Sequence, residues 1–194
     1  MELHQVPPGQ GRPGHRPLLA DHQAREDRLR HREGPRRVTR FTAGTEASAV
    51  ITASREEVWA LLEDPDAIAE MTPFVKRITA DGDHWTWELG GIEVLGKSVS
   101  PVFTERMDFD EPSRIEFTHD PPAGRTERSA VEGWYDLAEH DEGTLLRTSL
   151  EICLDLPLPR LSSKAVTATM KGVVGKMGDR FADNLLARLG AREV

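Results

Sequence analysis

The C-terminal end of the chain leaves few folds open. Between about residues 159 and 189, Val166, Met170, Val173, Met177, Phe181, Leu185 and Leu189 recur at spacings of three and four. That spacing lines them up along one face of a single long helix. A lone helix with one apolar face must bury it against another layer. No second long helix precedes it, so the layer has to be a sheet. Three glycines, Gly172, Gly175 and Gly178, interrupt the helix. Each costs up to about 1 kcal/mol relative to Ala. They indicate a backbone held close to a neighbour, a helix that bends, or packing strong enough to tolerate them.

The preceding segments supply that sheet. FTAGTEASAVITAS reads as a first strand. SREEVWALLEDP follows as a short helix, with Ser54 and Glu57 spaced as a capping box and Pro65 as its stop. DPDAIAEM reads as a second short helix that starts at Asp64 or Asp66 and ends at Pro73. Strands are then expected at 74–81, 84–90, 92–109, 113–120, 128–140 and 143–156, with DEG as a hairpin turn between the last two. A sheet of this length curls, and the single helix belongs on its concave side. Side chains or a ligand must fill the space between them. The fold class is therefore α+β.

Charge divides the chain. Residues 1–40 hold nine Arg and no Lys against five acids, a sum of +4, while the whole chain carries −8, leaving −12 for the remainder. An acidic body without basic–aromatic clusters argues against nucleic acid as a partner. Residues 1–37, rich in Arg, Pro and Gly, cannot bury enough apolar surface to fold. They are expected to be a disordered extension to a single domain at 38–194, or a basic arm that touches an acidic partner or membrane surface. His4, His15, His22 and His31 lie there at spacings that fit no metal motif. A lone cysteine, Cys153, excludes an intrachain disulfide and fits a reducing compartment. No apolar run approaches the roughly 18 residues of a membrane span, and no secretory signal is evident. A cytoplasmic protein without integral membrane contact is expected, as a monomer or a homodimer.

Three segments carry a resemblance. These are the helix EVWALLEDP after the first strand, the exit marked by Pro73, Val75 and Ile78, and the hairpin GWYDLAEHDEGTLLRTSLEI before the long helix. In these features residues 40–190 resemble the START-like superfamily, also called SRPBCC or polyketide cyclase/dehydrase. Many members carry an aromatic where Met71 stands here. The resemblance implies a helix-grip fold: a curved antiparallel sheet of six to seven strands around the C-terminal helix, with two short helices after the first strand. It also implies a deep apolar cavity for a lipid-like, polyketide, sterol or aromatic ligand. The superfamily spans carriers, sensors, cyclases and hydrolases, so fold alone does not settle function.

The residues allow the cavity to be sketched. In HWTWELGG, Trp85, Trp87 and Leu89 share one strand face. Phe117 and His119 share another, as do Phe103, Glu105 and Met107, unless a bulge at Pro101 turns Glu105 outward. Of the two faces of 128–140, the one bearing Val131, Tyr135 and Leu137 is expected inward and Trp134 outward. Thr148 comes from the last strand, and Met170, Val173, Met177 and Phe181 from the helix. The competing reading is that the same residues form a packed core. His119, Glu105 and Tyr135 are candidate acid–base groups. For His119 the competing reading is a half-solvated strand end. Cys153 points outward and is a passive strand residue. No nucleophile–base pair, phosphate loop or metal spacing is present, and no cofactor or metal is implied. The loops TERMDFDEP and HDPPAGRTE are candidate gates. A non-catalytic binder of a small hydrophobic molecule is the leading reading. The alternatives are a cyclase-, aromatase- or dehydratase-like enzyme working in the same cavity, and a protein-interaction module.

Overall fold

The computed structural model describes residues 38–194; the extension expected at 1–37 lies outside the described residues. Strand β1 (Thr39–Ile51) leads into helices α1 (Arg55–Leu62) and α2 (Pro65–Met71). Strands β2 (Val75–Asp81), β3 (His84–Leu89), β4 (Ile92–Val94), β5 (Lys97–Val99), β6 (Val102–Asp110), β7 (Arg114–His119), β8 (Ser129–His140) and β9 (Gly143–Leu156) follow. A 3-10 turn (Arg160–Ser162) then opens α3 (Ser163–Leu189). Seven strands form one antiparallel sheet in the order β1-β9-β8-β7-β6-β3-β2. This is the helix-grip architecture.

Local chemistry explains the short elements. Ser54 Oγ accepts from the Glu57 backbone N–H at 3.3 Å, and the Ser54 N–H donates to Glu57 Oε2 at 2.9 Å, so the capping box is complete. Asp64, not Asp66, caps α2: its Oδ1 accepts from the N–H groups of Asp66 and Ala67. At the β8–β9 hairpin Gly143 has φ +139°, and a Cβ there would sit 2.1 Å from the Ile51 carbonyl oxygen.

The expected strand at 92–109 is three strands. β4 and β5 form a separate two-stranded hairpin. Leu95 and Gly96, at φ 49° and 73°, turn the chain between them. Pro101, which has no N–H to donate, separates β5 from β6. β6 then starts a fresh register, with Trp85 opposite Glu105 and Trp87 opposite Phe103.

Buried apolar residues form two clusters. The larger joins α1, α2 and the central strands to Leu185 of α3. The smaller packs Val166 and Met170 of α3 against Phe41, Ala43, Leu154 and Leu156. The three helix glycines do not mark close packing: a Cβ at Gly172, Gly175 or Gly178 would meet nothing within 4 Å. α3 runs unbroken through all three.

Candidate functional site

Between the sheet and α3 the two clusters leave a cavity of about 500 Å³. Its size falls in the range of small-molecule sites. Strand alternation builds most of the wall. β3 contributes Trp85, Trp87 and Leu89, and β6 contributes Phe103, Glu105 and Met107. Phe117 of β7, Val131 and Tyr135 of β8, and Leu146, Thr148, Leu150, Ile152 and Leu154 of β9 continue it. α3 closes it with Met170, Val173, Met177 and Phe181, and with Val174, which the sequence periodicity passed over. Eleven of the twelve expected ligand-contacting residues stand on this wall.

The twelfth, His119, does not. Its Nε2 lies 3.0 Å from Glu127 Oε2. Glu127 also accepts from the Thr104 backbone N–H at 2.8 Å and from Thr104 Oγ1 at 2.9 Å. His119 is register partner to Glu105, so alternation alone would turn it inward. Instead a carboxylate from the β7–β8 loop holds the ring. The expected acid–base role for His119 in the cavity is therefore not supported by its placement.

Glu105 faces in. It is 1 % exposed, because the interruption between strands at Pro101 precedes β6 and leaves its alternation intact. Burial holds its carboxyl well above the usual carboxylate range, with the Trp87 indole pulling the other way. The two do not meet hydrogen-bond geometry: Trp87 Nε1 and Glu105 Oε2 are both buried without a partner. Tyr135 is only half-buried, and its surface is on the cavity wall. Burial raises its phenol above the ordinary range, and the proximity of Glu105 adds to the shift. Its hydroxyl is thus kept as a hydrogen-bond donor. Trp134 lies outside, with the Arg114 guanidinium 4.8 Å from its ring centroid.

Aromatic pairs stiffen the wall. Trp87 stacks on Phe103 at 5.8 Å and Tyr135 on Phe181 at 6.5 Å, while Phe117 tilts against Tyr135 at 5.5 Å. Gly133 makes room for Phe117, since a Cβ there would lie 2.8 Å from the ring.

The cavity reaches solvent on one side. Its exposed lining residues are Thr45, Glu46, Ala47 and Ser48 of β1, Gly175, Gly178, Asp179 and Ala182 of α3, and Glu193. β1 is an edge strand, and its inward residues here, Thr45, Ala47 and Ala49, are small. The mouth therefore opens between β1 and the glycine stretch of α3. Neither expected gate loop forms it. TERMDFDEP gives only the wall residues Glu105 and Met107. Arg125, Thr126 and Glu127 of the other loop, with Arg128 just beyond it, line a second groove of about 610 Å³, which shares Val99, Pro101, Ser129 and Leu154 with the cavity wall. Among the described residues no helix is long and apolar enough to cross a membrane.

Solved structures share this fold. The Zhui aromatase/cyclase from Streptomyces superposes with a TM-score of 0.57 at 15% identity, covering 77% of this chain and 94% of that one. A START superfamily protein from Mycobacterium smegmatis gives 0.54 at 18% identity, with 77% and 97% covered. TTHA0849 from Thermus thermophilus gives 0.54 at 21% identity, with 76% and 98% covered. At these identities the likeness is one of fold. No curated protein matches the chain. The family described as polyketide cyclase / dehydrase and lipid transport matches residues 42–190, and the chain belongs to it.

Proposed function

We propose that the protein binds a small, largely apolar molecule between the sheet and α3 and releases it through the β1–α3 mouth. One observation carries this reading: a cavity of about 500 Å³, walled by aromatic and aliphatic side chains, that opens to solvent on one side. A packed core would have closed it. The eleven wall residues anticipated from the sequence are its contact residues. The acidic body and lone Cys153 fit a cytoplasmic protein whose partner is a small molecule, not nucleic acid.

Native mass spectrometry of the protein from its own host, followed by extraction of whatever is bound, tests this directly. A defined hydrophobic adduct, lost in Trp87→Ala and Met177→Ala, is the expected result. A clean unliganded mass with no uptake of a hydrophobic dye would sink the reading.

A second reading is favoured by Glu105 and Tyr135. A buried protonated Glu105 can give its proton to the oxygen of a bound carbonyl compound, and the carboxylate so formed can take one back from the neighbouring carbon while the Tyr135 phenol hydrogen-bonds the substrate, as a cyclase or dehydratase requires. Turnover of a poly-keto substrate that survives His119→Gln but not Glu105→Gln would favour catalysis over carriage.

A further inference from the structure

Trp87 Nε1 and Glu105 Oε2 are wholly buried and have no hydrogen-bond partner. Both side chains line the cavity, and adjacent strands place them together, with Trp85 opposite Glu105 and Trp87 opposite Phe103. Buried polar atoms in folded proteins are almost always paired, so two orphans on one cavity wall point to a group that is supplied from outside. The indole can only donate. A protonated carboxyl, the form that burial favours for Glu105, offers one donor and one acceptor.

The rest of the wall narrows the chemistry. Its charged residues are Glu46, Glu105, Asp179 and Glu193; among the described lining residues none is Lys or Arg. A carboxylate ligand would be buried there without a counter-ion. An ammonium ligand would pair with Glu105 but has no acceptor for the Trp87 N–H. An uncharged oxygen satisfies both orphans. A carbonyl accepts from Trp87 and from the protonated Glu105. A hydroxyl accepts from Trp87 and donates to Glu105.

We propose that Trp87 and Glu105 together form a recognition site for one uncharged keto or hydroxyl oxygen on an otherwise apolar ligand, and that they select against carboxylates and amines. This rests on the reading of the cavity as a ligand site and adds the identity of the ligand's polar group. Tyr135, two strands along the same wall on β8, adds a further hydrogen-bond donor to the cavity.

Four probes that share one ring and differ in one substituent test it by calorimetry at neutral pH: 2-acetylnaphthalene, 2-ethylnaphthalene, 2-naphthoic acid and 2-(aminomethyl)naphthalene. The ketone is expected to bind about tenfold more tightly than the ethyl compound, as one or two net hydrogen bonds allow. The acid and the amine should both bind more weakly than the ketone. Trp87→Phe keeps the stack on Phe103 and removes the N–H, while Glu105→Met keeps the volume and removes the carboxyl. Each should bring the ketone to within about twofold of the ethyl compound measured on the same variant. Glu105→Gln, which retains a donor and an acceptor, should keep the preference. Thermal melts establish that each variant folds, and any one that does is informative. Equal binding of ketone and ethyl compound to the unaltered protein would overturn the proposal. So would tightest binding of acid or amine, or a preference that persists in Trp87→Phe and Glu105→Met. If the ethyl compound also fails to bind, the cavity reading itself is wrong, which is a different failure.

Discussion

A carboxyl buried without a partner titrates against the fold. In the unfolded chain Glu105 ionises near 4.5, whereas burial keeps it protonated to higher pH in the folded chain. Within that window the folded state holds the extra proton, so stability falls as pH rises above about 4.5, by up to about 1.4 kcal/mol per pH unit. Glu105→Gln removes that proton. Urea midpoints of the two proteins should therefore diverge with rising pH, the variant becoming the more stable; parallel curves would mean that Glu105 titrates normally. Gly133 makes a steric prediction. A Cβ there would sit 2.1 Å from the Ser149 carbonyl oxygen and 2.8 Å from the Phe117 ring. Gly133→Ala should lower stability by about 2 kcal/mol or more, read as a lower urea midpoint at constant slope. The sequence revealed these residues unevenly. Alternation placed Glu105 and Tyr135 inward because each sits mid-strand, where pleating decides orientation. It misplaced His119 because that residue ends β7, where Glu127, eight residues on across a loop, claims the ring. No periodicity encodes such a contact.

Among the elements, α3 shows how pattern and packing differ. Its apolar period gave its length and face, but the glycines read ambiguously. The structure resolves them as residues facing open space. Alanine fits at each, so helix propensity alone decides the outcome. Gly172→Ala, Gly175→Ala and Gly178→Ala should each stabilise by about 0.5–1 kcal/mol, seen as additive rises in thermal midpoint. A loss of stability would mean that the empty space is not available. The hairpins and caps were legible because each is a local device. Ser54 with Glu57, Asp64, and the DEG turn act within a few residues. β4 and β5 were not legible, because the run from Ile92 to Phe109 alternates well enough to read as one strand. Its interruption depends on Leu95 adopting φ 49°, which propensity argues against.

At the scale of the molecule, one long helix and a curling meander implied the grip, and the START-like resemblance strengthened it. What neither supplied was the mouth. It arises where small residues on an edge strand meet glycines on the helix, a coincidence between segments about 130 residues apart in the chain. That arrangement has a mechanical consequence. One end of α3 is pinned by Val166 and Met170 in the smaller cluster. The other is pinned by Leu185 and by the residues beyond it, where Thr52 donates to the Arg192 carbonyl and Val194 donates to that of Val50. Between these anchors the glycine span crosses the mouth above the cavity, touching the larger cluster through Met177, like a beam held firmly at both ends and lightly between. Such a span can bow without either support yielding. Backbone amides of 172–179 should accordingly exchange with deuterium faster than those of 163–170 and 181–189, and a ligand that fills the cavity should slow the middle most. Uniform protection along α3 would mean that the beam is rigid and that passage depends on some other movement.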